Sequence, residues 1–168
     1  MSRGAAITIR SDLRPGDLGR IIALHGTAYE AERGHFGLPF EAHVARTVAE
    51  FVLDNGARGR VFLVERGTDL VGCAAIVERR GPAGVLGQLR WVLADPSVRG
   101  RGLGKKLVSM AIDHARAAGW REVFLETTDG LDASMSIYKA LGFVIASQEI
   151  REMWSRETNL FTMRLTLR

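Results

Sequence analysis

A single cysteine, Cys73, stands in a chain of 168 residues, which excludes an internal disulfide and any zinc site built on cysteine. Its setting, the apolar run Val71-Gly-Cys-Ala-Ala-Ile-Val77, makes it a small core residue rather than a nucleophile. Long hydrophobic runs are missing as well. The longest uncharged one, Leu70 to Val77, is too short to cross a bilayer, so no membrane partner is expected. The N-terminus lacks the apolar core of a signal peptide, and the expected location is the cytoplasm. No linker, internal repeat or low-complexity tract divides the sequence, so one domain over residues 1–168 is expected. Neither sign of charge dominates, since 23 Lys and Arg face 19 Asp and Glu. The basic residues form short clusters without the interleaved aromatics of a single-strand platform, which argues against a nucleic-acid partner. No metal site is expected.

What is present is apolar and patterned: 46% hydrophobic residues suffice for a buried core. The most informative stretch runs from Leu89 to Lys105. Val92, Leu93 and Ala94 form an apolar run closed by Asp95-Pro96, where the missing N–H of proline ends ladder pairing. Arg99-Gly100-Arg101-Gly102-Leu103-Gly104-Lys105 follows. Alternating glycines let several backbone N–H groups turn one way, and at a helix N-terminus these donors make a seat for phosphate. The neighbouring arginines and lysine add charge-assisted bonds. The glycines are misplaced for a dinucleotide turn, and no Gly-Lys-Ser/Thr follows as in a P-loop.

In chain order, Ala5–Arg10 reads as a strand. Helices are expected from about Pro15 to Gly34 and from Pro39 to about Asp54, each with apolar residues at three- and four-residue steps. Between them lies a polar and aromatic elbow holding Glu30, Glu32, Arg33, His35 and Phe36. Arg60–Glu65 and Asp69–Glu78 read as a hairpin turning at Gly67, and Val85–Ala94 as a further strand after a Gly81-Pro82 break. Lys105–Ala118 is the clearest helix. Val123–Thr127, a helix over Ser134–Leu141, and strands from about Phe143 to Ile150 and Asn159 to Leu167 complete the chain. This order predicts an α/β domain with a mixed sheet.

Arg99-x-x-Gly102-x-Gly104 after a strand ending in x-Pro resembles the pyrophosphate loop of the GNAT family of N-acetyltransferases. Ser134-Met-Ser-Ile-Tyr138-Lys-Ala-Leu-Gly142-Phe143 resembles that family's second signature, about thirty residues on. The segment His25-Gly26, Tyr29, Glu32, Gly34 and Phe40-Glu41 further resembles the acetyltransferase half of bacterial proteins that fuse it to a MarR-type DNA-binding domain. The family resemblance implies a mixed, mostly antiparallel central sheet of about seven strands flanked by about four helices. It also implies acetyl-CoA as cofactor and a primary amine as acceptor, a small molecule or amino acid, with a protein or peptide amine or a non-catalytic acyl-CoA-binding module as alternatives.

By the same resemblance, residues Arg99 to Lys105 would hold the pyrophosphate. The backbone of Val92, Leu93 and Ala94, freed by a splay between the fourth and fifth strands, would pair with the pantetheine and the thioester oxygen. Tyr138 would be the acid, its phenol near pKa 10 roughly matched to an alkyl thiolate. The fourth strand, Gln88-Leu-Arg90-Trp-Val-Leu-Ala, lacks the glutamate many relatives place there, so Glu126, Glu32 or water would act as base. Arg90 in the acceptor cleft would select a carboxylate-bearing acceptor; facing away, it is a sheet-surface charge. Tyr29 and His35 are candidate acceptor-site walls. Leu131 occupies the position of an asparagine that bonds the pantetheine in relatives, so either Ser134 or Thr128 substitutes or the contact is absent. The last two strands, with Leu160, Phe161, Met163 and Leu165, are a candidate homodimer contact.

Overall fold

The structure, a computed structural model, describes residues 5–33, 36–55 and 58–168. Strand β1 (Ile7–Arg10) leads into helices α1 (Asp17–Arg33) and α2 (Gly37–Glu50), and α2 runs on into a wider π-helical turn over Phe51–Asn55. Strands β2 (Arg60–Arg66), β3 (Asp69–Gly81) and β4 (Gly84–Ala94) form a meander. Helix α3 (Leu103–Ala117), strand β5 (Glu122–Thr128), helix α4 (Asp132–Ala140) and the hairpin β6 (Val144–Met153) and β7 (Arg156–Thr166) follow. The 7-stranded sheet has the order β1-β2-β3-β4-β5-β7-β6. Among the described strands only β4 and β5 pair in parallel; the other neighbours are antiparallel. This is the mixed α/β sheet with flanking helices that the sequence predicts.

The sheet separates two apolar layers. On one side the stripe of α3, Leu107, Val108, Ala111, Ile112 and Ala115, packs against Val64, Ile76 and Leu89. On the other, Ile21 of α1 and Val44 and Val48 of α2 pack against Leu63, Cys73 and Ala75. Burial pushes the Cys73 thiol up to about 12, which removes it from thiolate chemistry. The N-terminus of α1 is tied to the sheet by charge. Arg10 forks onto Asp17, with Nη2 donating to Oδ1 at 2.7 Å and Nη1 to Oδ2 at 2.9 Å. Arg10 and Arg20 both donate to Glu65. Asp17 is buried, and the Arg10 guanidinium holds its carboxyl down at about 2.

Two boundaries differ from expectation. Gly81-Pro82 is no break: β3 and β4 run on until Gly81 faces Gly84 across a tight turn, a position where proline's fixed φ is favourable. The last two strands likewise extend to a two-residue turn, Trp154-Ser155, with φ of +50° and +64°. Such a turn usually carries Asn-Gly, so Trp-Ser gives no signal. Nor does β6, which is exposed from Val144 to Glu152 and shows no alternation. Leu160 and Met163, expected as dimer-contact residues, are buried in the protein's own interior, while Val144, Ile145 and Ile150 are the exposed apolar residues of this hairpin.

Two irregularities in β4 shape the site. Its pairing with β5 covers only Gly87↔Val123 and Gln88↔Phe124, after which the strands part. Its register with β3 shifts between Cys73 and Ala75, opposite Trp91, whose φ is +48°. A bulge of this kind turns two consecutive side chains to one face. Arg90 and Trp91 both point at α2: Arg90 Nη2 lies 3.4 Å from His43 Nε2, and Trp91 Nε1 donates to Thr47 Oγ1 at 3.2 Å.

Candidate active site

Where β4 and β5 diverge, a cavity of about 150 Å3 opens between α1, α2, α4 and the tip of the last hairpin. It is lined on one flank by Thr128, Ser134 and Tyr138 and on the other by Tyr29, Arg90 and Trp154. Val92 and Glu126 also reach it. The splay therefore brings together residues that the sequence scatters over five elements.

Below the cavity, Asp95 caps the short turn Pro96–Val98 by accepting from the Ser97 N–H at 2.9 Å. Gly100 and Gly102 follow in left-handed conformation, with φ of +74° and +71° and no atom within 4 Å of where a Cβ would sit. Gly102 starts α3 without a side-chain cap, so the first-turn N–H groups keep no side-chain acceptor. Gly104 serves another purpose. A Cβ there would stand 3.0 Å from Ile137 Cδ1, so this glycine lets α3 approach α4. Leu103 is buried in the core, leaving its backbone alone for a ligand. Arg99 Nε donates to the Ala94 carbonyl at 2.8 Å, so that carbonyl already has a partner, whereas Val92 and Leu93 lie on the part of β4 beyond its pairing with β5.

Tyr138 is buried, edge-on to Phe143 with ring centroids 5.9 Å apart. Burial, and then the neighbouring Tyr29, push its phenol well above the usual value, while Ser134 one turn back on α4 pulls the other way. The value near 10 expected for the free phenol does not hold here: the hydroxyl is fully protonated at neutral pH and is a weaker acid than in water. Thr128 Oγ1 is buried without a hydrogen-bond partner. A hydroxyl left so in a cavity wall is explained by a ligand that completes it. Together, the orphaned Thr128 hydroxyl and the open glycine cradle fit the pantetheine and pyrophosphate of a coenzyme A.

On the opposite flank Arg90 is half-buried, its Cζ 5.5 Å from the Trp91 ring centroid. Burial, with Arg79 nearby, lowers its pKa, and Glu126 and Glu50 act the other way. Among the described residues no carboxylate stands within ion-pair distance of it. His43 lies between two guanidinium groups, with Arg46 Nη2 3.4 Å from its Nδ1. Burial first, then Arg90 and Arg46, hold His43 below its usual pKa. His25, buried beneath Tyr29, donates from Nδ1 to the Ile21 carbonyl at 2.9 Å, and burial holds it down at about 4. It is a neutral wall residue.

Of the expected residues, Glu126 is exposed on β5 and lines the cavity. His35 and the side chain of Glu32 fall outside the described residues. Sequence reasoning missed His43, Phe40 and Trp154 as wall residues. The aromatic spacing around the elbow was a usable signal for Phe40, but nothing local marks Trp154. Among the described residues no helix is long and apolar enough to cross a membrane, and no His, Cys, Asp and Glu group that could hold a metal is found.

Known proteins match this arrangement. The chain is 35% identical over 82 residues to the uncharacterized N-acetyltransferase YjgM of Escherichia coli, covering 49% of each chain. It is 33% identical over 78 residues to the L-amino acid N-acyltransferase MnaT of the same organism, covering 45% of each. The matched stretch thus spans about half the length of these curated relatives. The fold superposes on yncA of Salmonella typhimurium, an acetyltransferase solved with its cofactor acetyl-CoA, with a TM-score of 0.72 at 24% identity over 97% of this chain and 95% of that one. The model of the Acetyltransferase (GNAT) family matches residues 26–143, most of the described fold and the cavity wall from Tyr29 to Tyr138, and the chain belongs to that family.

Proposed function

We propose that this protein transfers an acetyl group from acetyl-CoA to the amino group of a small molecule bearing a carboxylate, an amino acid foremost. The observation that carries the acceptor class is Arg90: a half-buried guanidinium in the cavity wall, without a carboxylate partner among the described residues. Its planar fork suits a carboxylate, and an unpaired charge there is costly until one arrives. The name of MnaT, an L-amino acid N-acyltransferase, supports the same class.

Bound acetyl-CoA supplies the thioester carbonyl as electrophile. The loop from Arg99 to Lys105 seats its phosphates with backbone N–H groups and with the charges of Arg101 and Lys105. Thr128 Oγ1 and Ser134 take the pantetheine in place of the asparagine that Leu131 replaces. The pantetheine takes the place of a strand partner along the open edge of β4 at Val92, whereas the Leu93 N–H, in register with Cys73 of β3, is turned away from the developing oxyanion. Glu126 accepts the ammonium proton of the acceptor, directly or through water. Tyr138 holds its proton at Oη for the departing thiolate; its raised pKa keeps that proton in place until negative charge develops beside it.

A protein N-terminus is the weaker alternative, because Trp154 and the elbow rings narrow the acceptor flank. The test is a thiol-release assay comparing amino acids with their amides and with short peptides. Acids should be favoured at least about tenfold over amides, and Arg90→Gln should abolish that preference. Amides or peptides turned over as well as acids would overturn the carboxylate reading.

A further inference from the structure

We infer that the acceptor is an amino acid with an apolar side chain, aromatic ones above all, and that Trp154 is the residue that selects it. This rests on the reading of Arg90 as the seat of the carboxylate. Four rings from three separate parts of the chain form one wall of the cavity: Tyr29 of α1, Phe36 and Phe40 at the start of α2, and Trp154 at the tip of the last hairpin. Tyr29 lies 4.9 Å from Phe40, and Trp154 lies 4.9 Å from Phe40 and 5.3 Å from Phe36, all edge-on. Such rings offer an apolar or aromatic group a flat face on several sides.

The hairpin is built to deliver that indole. β7 pairs with β5 only as far as Leu160↔Thr128. The pairs Ile150↔Asn159 to Met153↔Arg156 project past the sheet, and the overhang carries Trp154 back over α2. The turn is strained: two non-glycine residues, one of them bulky, sit at φ of +50° and +64°. A turn needing only to reverse the chain would use Asn-Gly. Strain of this kind persists where the surroundings fix it, and it collects at ligand sites. Trp154 is also only half-buried, so the ring keeps surface for a ligand.

Charge decides what the aromatic wall accepts. Boxes of this type elsewhere take cations. Here His43, 5.9 Å from Trp154, is flanked by Arg90 and by Arg46, the latter paired with Glu50 at 3.6 Å, and the Arg90 charge, without a carboxylate partner among the described residues, disfavours a second ammonium. Glu126, the carboxylate on β5 that lines the cavity, is the group that the proposed reaction gives to the acceptor's ammonium. The carboxylate seat and the indole thus stand on two sides of one imidazole, an arrangement that reads an acid group and an uncharged side chain together.

The experiment measures kcat/KM by thiol release for phenylalanine, leucine, methionine, alanine, glycine and lysine, with the amides of phenylalanine and alanine, in wild type, Trp154→Ala and Trp154→Phe. Phenylalanine, leucine and methionine should exceed alanine by at least about tenfold, with lysine below alanine. Trp154→Ala should shrink the phenylalanine-to-alanine ratio to under about threefold, and Trp154→Phe should keep most of it. A rise in melting temperature with coenzyme A establishes that each variant is folded. A wild-type ratio near one, or lysine preferred, overturns the inference while leaving the carboxylate reading intact if acids still outdo amides. Acids no better than amides overturn that reading and this one with it. An undiminished ratio in Trp154→Ala removes Trp154 as the selector.

Discussion

On one side of the β4–β5 splay, the loop from Arg99 to Lys105 and the first turn of α3 offer backbone groups from one continuous stretch. On the other, Tyr29, Phe40, Arg90 and Trp154 arrive from α1, α2, β4 and the last hairpin. The first side fits a group that never varies, a phosphate chain, which backbone N–H groups can hold whatever the side chains are. The second fits a group that distinguishes one relative from another, and only side chains placed by long-range contacts can do that. The two flanks are also held differently. α3 rests on an apolar stripe, while α1 is tied down at its start by the cluster of Arg10, Asp17, Arg20 and Glu65.

Tyr138 stands where the flanks meet, so its loss should strike the transfer step and leave cofactor binding in place. Tyr138→Phe should lower kcat by at least about a hundredfold at unchanged coenzyme A affinity; undiminished turnover in the thiol-release assay would refute its role as acid. Gly102→Val tests the cofactor flank alone. Open space surrounds the missing Cβ, so the penalty is conformational, about 1–2 kcal/mol for a left-handed residue. Coenzyme A affinity, measured by calorimetry, should fall about tenfold and equally for every acceptor.

The same contrast sets what could be read from the chain. The cofactor flank was legible because glycine spacing, a strand before and a helix after are all local. The order of elements along the chain, the helices and the β2–β3 hairpin were legible for the same reason. The acceptor flank was only half visible. Arg90 could be seen as unusual, yet its direction depends on a bulge opposite Cys73 and Ala75 that no periodicity announces. Trp154 was invisible because its turn breaks the usual turn chemistry and β6, which leads into it, is exposed along nearly its whole length. Tyr138 was placed correctly on its helix, but the upward push on its phenol comes from burial, which needs three dimensions.

Two smaller effects sharpen the contrast on the acceptor side. Asp17 titrates at about 2 in the folded chain, below its value near 4 when unfolded. Its contribution is therefore complete above about pH 4 and is lost as pH falls towards 2, worth roughly 2–3 kcal/mol. Acid melting curves should show that loss in wild type and not in Asp17→Asn, which starts less stable at pH 7. Ser155→Gly should relieve the hairpin turn and raise stability by about 1 kcal/mol, read as a higher melting temperature; a lower one would show that the turn carries no strain.

The parting of β4 from β5 has a mechanical side. Seven strands make one sheet on paper, yet among the described residues its two halves are stitched by the pairs Gly87↔Val123 and Gln88↔Phe124 and by the Arg121 N–H on the Val85 carbonyl at 3.3 Å. Everything from β1 to β4 is one plate, everything from β5 to β7 another, and α3 lies across the join. A ligand arm laid along the open part of that seam acts as a rivet between plates. Occupancy of the cleft and rigidity of the whole molecule are then one variable, and amide exchange along β4 and β5 should slow together when coenzyme A is added.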